Sequence, residues 1–302
     1  MTLSINYKKF IIKNLSPNLK MTRSDWFKIS TQRLKANNIK SAQLDSLIIL
    51  EHVLKISRTK LLVHFDQTIN DHQKKLLNHY LKLRLNYLPI AYITNSINFY
   101  GFNFYVNQNV LIPRPESEEI VTKANLLIFL FYSISFLINN PKNFNLTGVD
   151  IGSGSGNLGI SLSLINSYCR VDLVEKSKKA AKVCQINVVK NNQKNQVFIS
   201  DFSKINLSNY HFIIANLPYL PLKFKLDQAT NHEPKMALFS GRDGLKDYRK
   251  LFKTIAKLSK KPLLIILEKL DFLDYQLIEL ARLNNYQTII KTKFVICFVL
   301  SY

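Results

Sequence analysis

The chain has 302 residues, 47% hydrophobic and 11% aromatic, which allows one large domain with a smaller one and excludes a disordered polymer. Its three cysteines (Cys169, Cys184, Cys297) lie far apart without CxxC or Cys/His ligand spacing, so a disulfide framework or zinc cluster is not expected and a reducing compartment fits. The net charge is +22, and residues 1–88 hold 16 Lys/Arg against 5 Asp/Glu, so half of the excess sits on under a third of the chain.

That basic segment would suit an acidic partner or RNA, although abundant lysine, asparagine and isoleucine are also what an AT-rich genome produces. A nucleic-acid partner is therefore open but not required. The N-terminal apolar residues are broken by lysine and asparagine, and no secretory signal is expected. From Trp26 to Leu85 apolar residues recur at helical spacing (Leu44, Leu47, Ile48, Leu50, Val53, Leu54), with Ser41 as the predicted N-cap. Residues 1–88 are read as a small helical domain.

Residues 89–115 change texture. Aromatics flank Gly101 in Ile97–Val106, which predicts two short strands and a turn, hence a linker hairpin. Beyond it, 116–302 alternates helical stretches with β-branched runs. The apolar run Leu126–Ile138 is 13 residues, short of the roughly 20 needed to span a membrane, and is predicted to be a buried helix of a cytoplasmic protein. Strands are predicted at Gly148–Ile151, Arg170–Val174, Gln196–Ser200, Phe212–Ala215, Leu263–Leu267 and Val295–Leu300. This alternation predicts an α/β fold, a mostly parallel sheet with helices on both faces. The six histidines are scattered and are expected to be structural or solvated.

The first of these strands runs into Gly152-Ser153-Gly154-Ser155-Gly156, where glycines let the backbone turn sharply and approach a ligand. Such a turn alone is weak evidence, since nicotinamide cofactors use it too. The second strand ends at Glu175, a carboxylate suited to both ribose hydroxyls. The third ends at Asp201-Phe202, an acid for an adenine amino group beside a ring to stack on it. In this order the three features favour a nucleoside ligand.

The fourth strand ends in Asn216-Leu217-Pro218-Tyr219, which resembles the Asn-Pro-Pro-Tyr class of amide and exocyclic-amine methyltransferases. Leu217 stands where that pattern has its first proline. Pro89–Ile93, Phe99-Tyr100-Gly101, Val110–Glu118, His232–Leu238 and Gly241–Leu245 are similar to segments of the release factor glutamine methyltransferases, and Ala42–Leu54 to their N-terminal helices. The resemblance implies a Rossmann-like class I methyltransferase domain behind a helical domain that holds a protein substrate. It implies S-adenosylmethionine as cofactor and the Gly-Gly-Gln glutamine of class 1 peptide chain release factors as target; a monomer is expected. Asn216, Pro218 and Tyr219 would be catalytic and, with Leu217, hold the substrate. Asp150, Gly152, Gly154, Gly156, Glu175, Asp201, Phe202 and Asn216 would hold the cofactor. Asp150 could balance a sulfonium or bond the loop's own N–H groups. Arg114, Glu116 and Glu233 would line the substrate entrance or form surface ion pairs. A ribosomal-protein glutamine, an adenine-N6 position in DNA, or a non-catalytic RNA- or ribosome-binding role stay open as alternatives. Two places depart from the family: Lys269-Leu270 follows Glu268 where a glycine is usual, and Phe294–Tyr302 lacks a basic ending.

Overall fold

The computed structural model describes residues 20–139 and 146–301, in two compact units that divide after Thr94. The expected boundary at 88 therefore moves, and the hairpin expected to be a linker belongs to the second unit.

The first unit contains α1 (Arg23–Ala36), α2 (Ala42–Leu54), α3 (Arg58–Val63), α4 (Asp71–Leu85) and the short α5 (Ile90–Thr94). Reciprocal capping boxes start α1 at Thr22/Asp25 and α4 at Asn70/Gln73, satisfying N–H groups that helix ends leave unpaired. Trp26, Leu34, Ile49, Leu50, Leu77 and Leu81 form the core. Ser41 stands at the N-cap of α2, but its hydroxyl caps no N–H; it donates to Asp45 at 2.7 Å. That carboxylate is buried and is held by Arg84 of α4.

In the second unit, β1 (Ile97–Phe99) and β2 (Phe102–Phe104) form the predicted hairpin. Its two turn residues, Tyr100 and Gly101, both have positive φ (53° and 82°), matching the twist of a two-residue hairpin. Phe99 and Phe104 are buried with Ile120, Val121 and Ala124 of α6 (Glu118–Asn139). Next come β3 (Leu146–Ile151), α7 (Asn157–Ile165), β4 (Cys169–Glu175), α8 (Lys178–Lys190), β5 (Val197–Ile199), β6 (Phe212–Ala215) and α9 (Lys246–Ile255). The chain ends with β7 (Leu264–Glu268), α10 (Asp274–Arg282), β8 (Tyr286–Lys291) and β9 (Val295–Leu300). Strands β3 to β9 form a seven-stranded sheet in the order β5-β4-β3-β6-β7-β9-β8, parallel except for the antiparallel β9. The order reverses between β3 and β6, which puts a ligand crevice beyond their carboxyl ends.

Two expectations are corrected. The run from Leu126 lies in α6 but is not a buried helix: Leu127 and Ile128 are buried, whereas Leu126, Phe129, Leu130 and Ile134 are about half exposed. Only one stripe of the helix packs inward, and the side chains of 132 and 135–139 lie outside the described residues. The sequence also showed no strand at 286–291. β8 is an edge strand with a bulge between Thr288 and Ile290; Gln287, Thr288 and Ile289 are exposed, so no alternation marks it. Where the family glycine is replaced, Lys269 is buried and its ammonium is held by Asp271 at 3.0 Å and Asp274 at 2.7 Å. The back of the sheet closes normally around it, with β9 pairing along all of β7. His211 is structural, accepting the Thr147 N–H on Nδ1 at 3.1 Å.

Candidate active site

The carboxyl ends of β3, β4 and β6 converge on one cleft that opens to solvent. The glycine turn forms its floor. Gly152 and Ser153 donate to the Val174 carbonyl at 2.8 and 3.1 Å, stitching the turn to the end of β4. Gly152, Gly154 and Gly156 all have positive φ, a region side chains disfavour. A Cβ on Gly154 would meet only the Gly152 carbonyl oxygen, at 3.9 Å, so the space before the turn is left for a ligand.

Glu175 is fixed at the back of the cleft. Its Oε2 accepts from Gly154 N at 3.0 Å and its Oε1 from Ser177 N at 2.8 Å. Both oxygens keep further acceptor capacity, as paired ribose hydroxyls would need. Phe202 lines the cleft as the wall an adenine ring would stack on. The cradle, the held carboxylate and the aromatic wall together fit a nucleoside-bearing cofactor.

Of the residues proposed from sequence, Gly152, Gly154, Glu175, Phe202, Asn216, Leu217 and Pro218 line this cleft. Asp150, Gly156 and Asp201 do not. Asp150 is buried behind the turn, where Oδ2 accepts from Gly159 N at 3.0 Å and Oδ1 has no partner. Burial pushes its pKa to about 7, with the Glu175 charge adding and the Gly159 N–H opposing. The N–H it holds belongs to the first turn of α7, just beyond the glycine turn. Gly156 turns the chain into α7; a Cβ there would lie 2.8 Å from Ile160 and 2.9 Å from Cys184. Asp201 is engaged locally, accepting from Ser203 N at 2.9 Å and pairing with Lys250. Burial opposes its ionisation, yet the bonds from Lys250 and Ser203 hold its pKa down at about 2. The Lys250 ammonium also lies 5.0 Å from the Phe202 ring centroid. No sequence signal pointed to Lys250.

The Asn216–Tyr219 turn stands between two cavities. Asn216 lines the cofactor cleft and also a second, open cavity with Arg114, Tyr219, Phe224 and Asp227. Asn216 Nδ2 donates to Ser117 Oγ at 3.1 Å. Among the described residues, nothing donates to Asn216 Oδ1 or the Pro218 carbonyl. Leu217 is buried, and its side chain would sit 3.5 Å from a Cβ on Gly152, so it packs against the glycine turn in place of the family proline. Tyr219 donates to Glu268 at 3.2 Å. Glu233 is buried; it accepts from Ile112 N at 3.0 Å and pairs with Arg114, tying the 110–114 segment to the 233–237 segment over the cleft. Asn187 of α8 pins the hairpin exit to the glycine turn, donating to Tyr105 O at 2.9 Å and Ser155 O at 2.8 Å. Among the described residues no His/Cys/Asp/Glu group could hold a metal ion, and no helix is long and apolar enough to cross a membrane.

Comparison with known proteins agrees with this geometry. Residues 25–94 match the family model described as the PrmC N-terminal domain, and residues 133–236 match the methyltransferase small domain. The release factor glutamine methyltransferase of Coxiella burnetii is 35% identical over 68% of this chain and 71% of its own. That of Mycoplasma mycoides subsp. mycoides is 34% identical over 84% of this chain and 88% of its own, and that of Leptospira interrogans 34% identical over 70% and 73%. The mostly parallel seven-stranded sheet with a helical unit before it is the architecture of a class I methyltransferase. The chain belongs to the release factor glutamine methyltransferase family.

Proposed function

We propose that this enzyme transfers a methyl group from S-adenosylmethionine to the side-chain amide nitrogen (N5) of the glutamine in the Gly-Gly-Gln motif of class 1 release factors. The observation that carries this reading is the place of Asn216, on the partition between the nucleoside cleft and an open second cavity, with Oδ1 and the Pro218 carbonyl both unengaged.

An amide nitrogen is a poor nucleophile because its lone pair is delocalised into the carbonyl. Asn216 Oδ1 accepts one N–H of the substrate NH₂ and the Pro218 carbonyl accepts the other. Two fixed acceptors orient the nitrogen and increase its electron density as it attacks. Bound in the cleft, S-adenosylmethionine supplies an electrophilic methyl group on a sulfonium sulfur. Glu175 holds the ribose, Phe202 the adenine, and the Gly152–Gly156 turn the remainder; Asp150 and Asp201 act from behind by fixing the turn and the Phe202 wall. Tyr219 packs against the planar amide. The extra proton leaves the nitrogen after transfer, so no strong base is needed. The basic helical unit holds the protein substrate, and the enzyme works as a cytoplasmic monomer.

The test is to incubate the purified chain with labelled S-adenosylmethionine and an unmodified release factor and map the label by mass spectrometry. Label on the Gly-Gly-Gln glutamine is expected, and Asn216→Ala should abolish it while leaving cofactor affinity within about twofold. Label on a ribosomal protein or DNA instead would overturn the substrate assignment.

A further inference from the structure

Behind Asn216 lies a buried carboxyl group that the mechanism above leaves without a task. β6 and β7 pair in register through Ala215 and Leu267, so Asn216 and Glu268 follow side by side at the carboxyl edge of the sheet. Glu268 is 3% exposed. Its Oε1 accepts from the Tyr219 hydroxyl at 3.2 Å, and its Oε2 meets no donor in full hydrogen-bond geometry. The neighbouring cation, Lys269, is committed to Asp271 and Asp274. Ser117, 1% exposed, accepts from Asn216 Nδ2 at 3.1 Å, which leaves its own proton to donate. Ser117, Tyr219 and Asn216 all lie close enough to stabilise the charged form of Glu268.

The consequence concerns the rotation of one amide. A side-chain amide turned by 180° exchanges an acceptor for a pair of donors at nearly the same positions, and only its partners decide between the two. With Nδ2 toward the cavities, Asn216 would present N–H groups to the N–H groups of the substrate and the site would repel what it must hold. We propose that Glu268 and Ser117 are positioning residues that hold both N–H groups of Asn216 toward the protein, so that Oδ1 faces the substrate nitrogen, and that the same carboxylate sets Tyr219. This rests on the reading of Asn216 as the substrate's acceptor.

Protonation changes the arrangement, because a carboxylic acid presents an O–H donor where the ionised form presents only acceptors. Burial pushes the Glu268 carboxyl above the ordinary range and Glu116 adds to this, while Ser117, Tyr219 and Asn216 oppose it. The other titratable groups around it are Tyr219, with Arg114 near it, and Tyr248, whose hydroxyl donates to the Glu268 backbone carbonyl at 2.6 Å; both phenols are pushed upward and stay neutral. Turnover should therefore fall as pH drops through the raised Glu268 pKa.

The experiment compares wild type, Glu268→Gln, Ser117→Ala and Asn216→Ala as full chains with S-adenosylmethionine and a release factor. Glu268→Gln and Ser117→Ala should each lower kcat about 10- to 100-fold while calorimetric S-adenosylmethionine affinity stays within about twofold. The acid limb of kcat should be present in wild type and absent in Glu268→Gln. An inactive Asn216→Ala beside full kcat in both Glu268→Gln and Ser117→Ala would overturn this inference alone, as would an unchanged acid limb in Glu268→Gln. An active Asn216→Ala would overturn the reading beneath it. Should Glu268→Gln fold poorly, the loss of kcat in a stably folded Ser117→Ala decides the matter.

Discussion

A Cβ added at Gly244 would lie 2.2 Å from the carbonyl oxygen of Tyr219, and the residue's φ of +81° is one that side-chain-bearing residues avoid. The turn after β6 is pinned from this side: Leu220 N donates to Leu238 O and Ser240 N to Leu220 O, each at 2.9 Å. Gly244→Ala must therefore displace the backbone of the turn that carries Asn216. We expect a stability loss of about 1–3 kcal/mol and a fall in kcat of about 100-fold, with S-adenosylmethionine affinity far less affected; calorimetry and initial rates would check both. Asp150 gives a pH-dependent counterpart. Its folded pKa of about 7 lies above the ordinary 3.8, so the stability it contributes is fully present below about pH 4 and is lost as pH rises through 7. Melting temperatures of wild type minus Asp150→Asn should decline across that window and flatten above it; a flat difference would mean that Asp150 is ionised throughout. At this scale chain order brought Glu175, Phe202 and Asn216 together at the ends of successive strands, and all three line the cleft. It misled at Asp201, because nothing in the linear chain shows that Lys250, 49 residues away, takes that carboxylate.

The elements were legible wherever burial imposes a period. The central parallel strands β3, β4, β6 and β7 lie where β-branched runs predicted them because both their faces are covered. β8 was not visible because an edge strand with exposed faces carries no such pattern, and the α6 run misled because composition does not say which stripe of a helix packs. In the helical unit the informative link is between elements. Arg84 of α4 meets Asp45 of α2 at 2.7 Å, with the two side chains 10% and 2% exposed. Removing one partner strands the other charge, so Asp45→Ala should cost about 3–5 kcal/mol in urea titrations. Replacing both by apolar residues, Asp45→Leu with Arg84→Met, should recover most of that loss. Equal damage in single and double variants would mean that the pair itself, rather than the stranded charge, holds α2 against α4.

At the scale of the whole molecule, charge and division of labour belong together. The catalytic cleft and its second cavity both lie within the second unit, whereas half of the +22 net charge falls in residues 1–88. The sequence showed this asymmetry but not its partner, because net charge reports on association and not on the identity of what associates. If the helical unit holds the release factor through acidic groups, the attraction is screened over a Debye length of about 8 Å at physiological salt and about 3 Å at 1 M. KM for the release factor should then rise steeply between low and high ionic strength, while KM for S-adenosylmethionine, enclosed in the cleft, changes little. Reversing exposed charges of the helical unit, for example Lys28→Glu with Lys35→Glu, should raise KM for the release factor and flatten its salt dependence without changing kcat. A KM indifferent to salt would mean that the helical unit recognises its substrate through shape and apolar contact. The excess lysine would then be a product of base composition, with no part in binding.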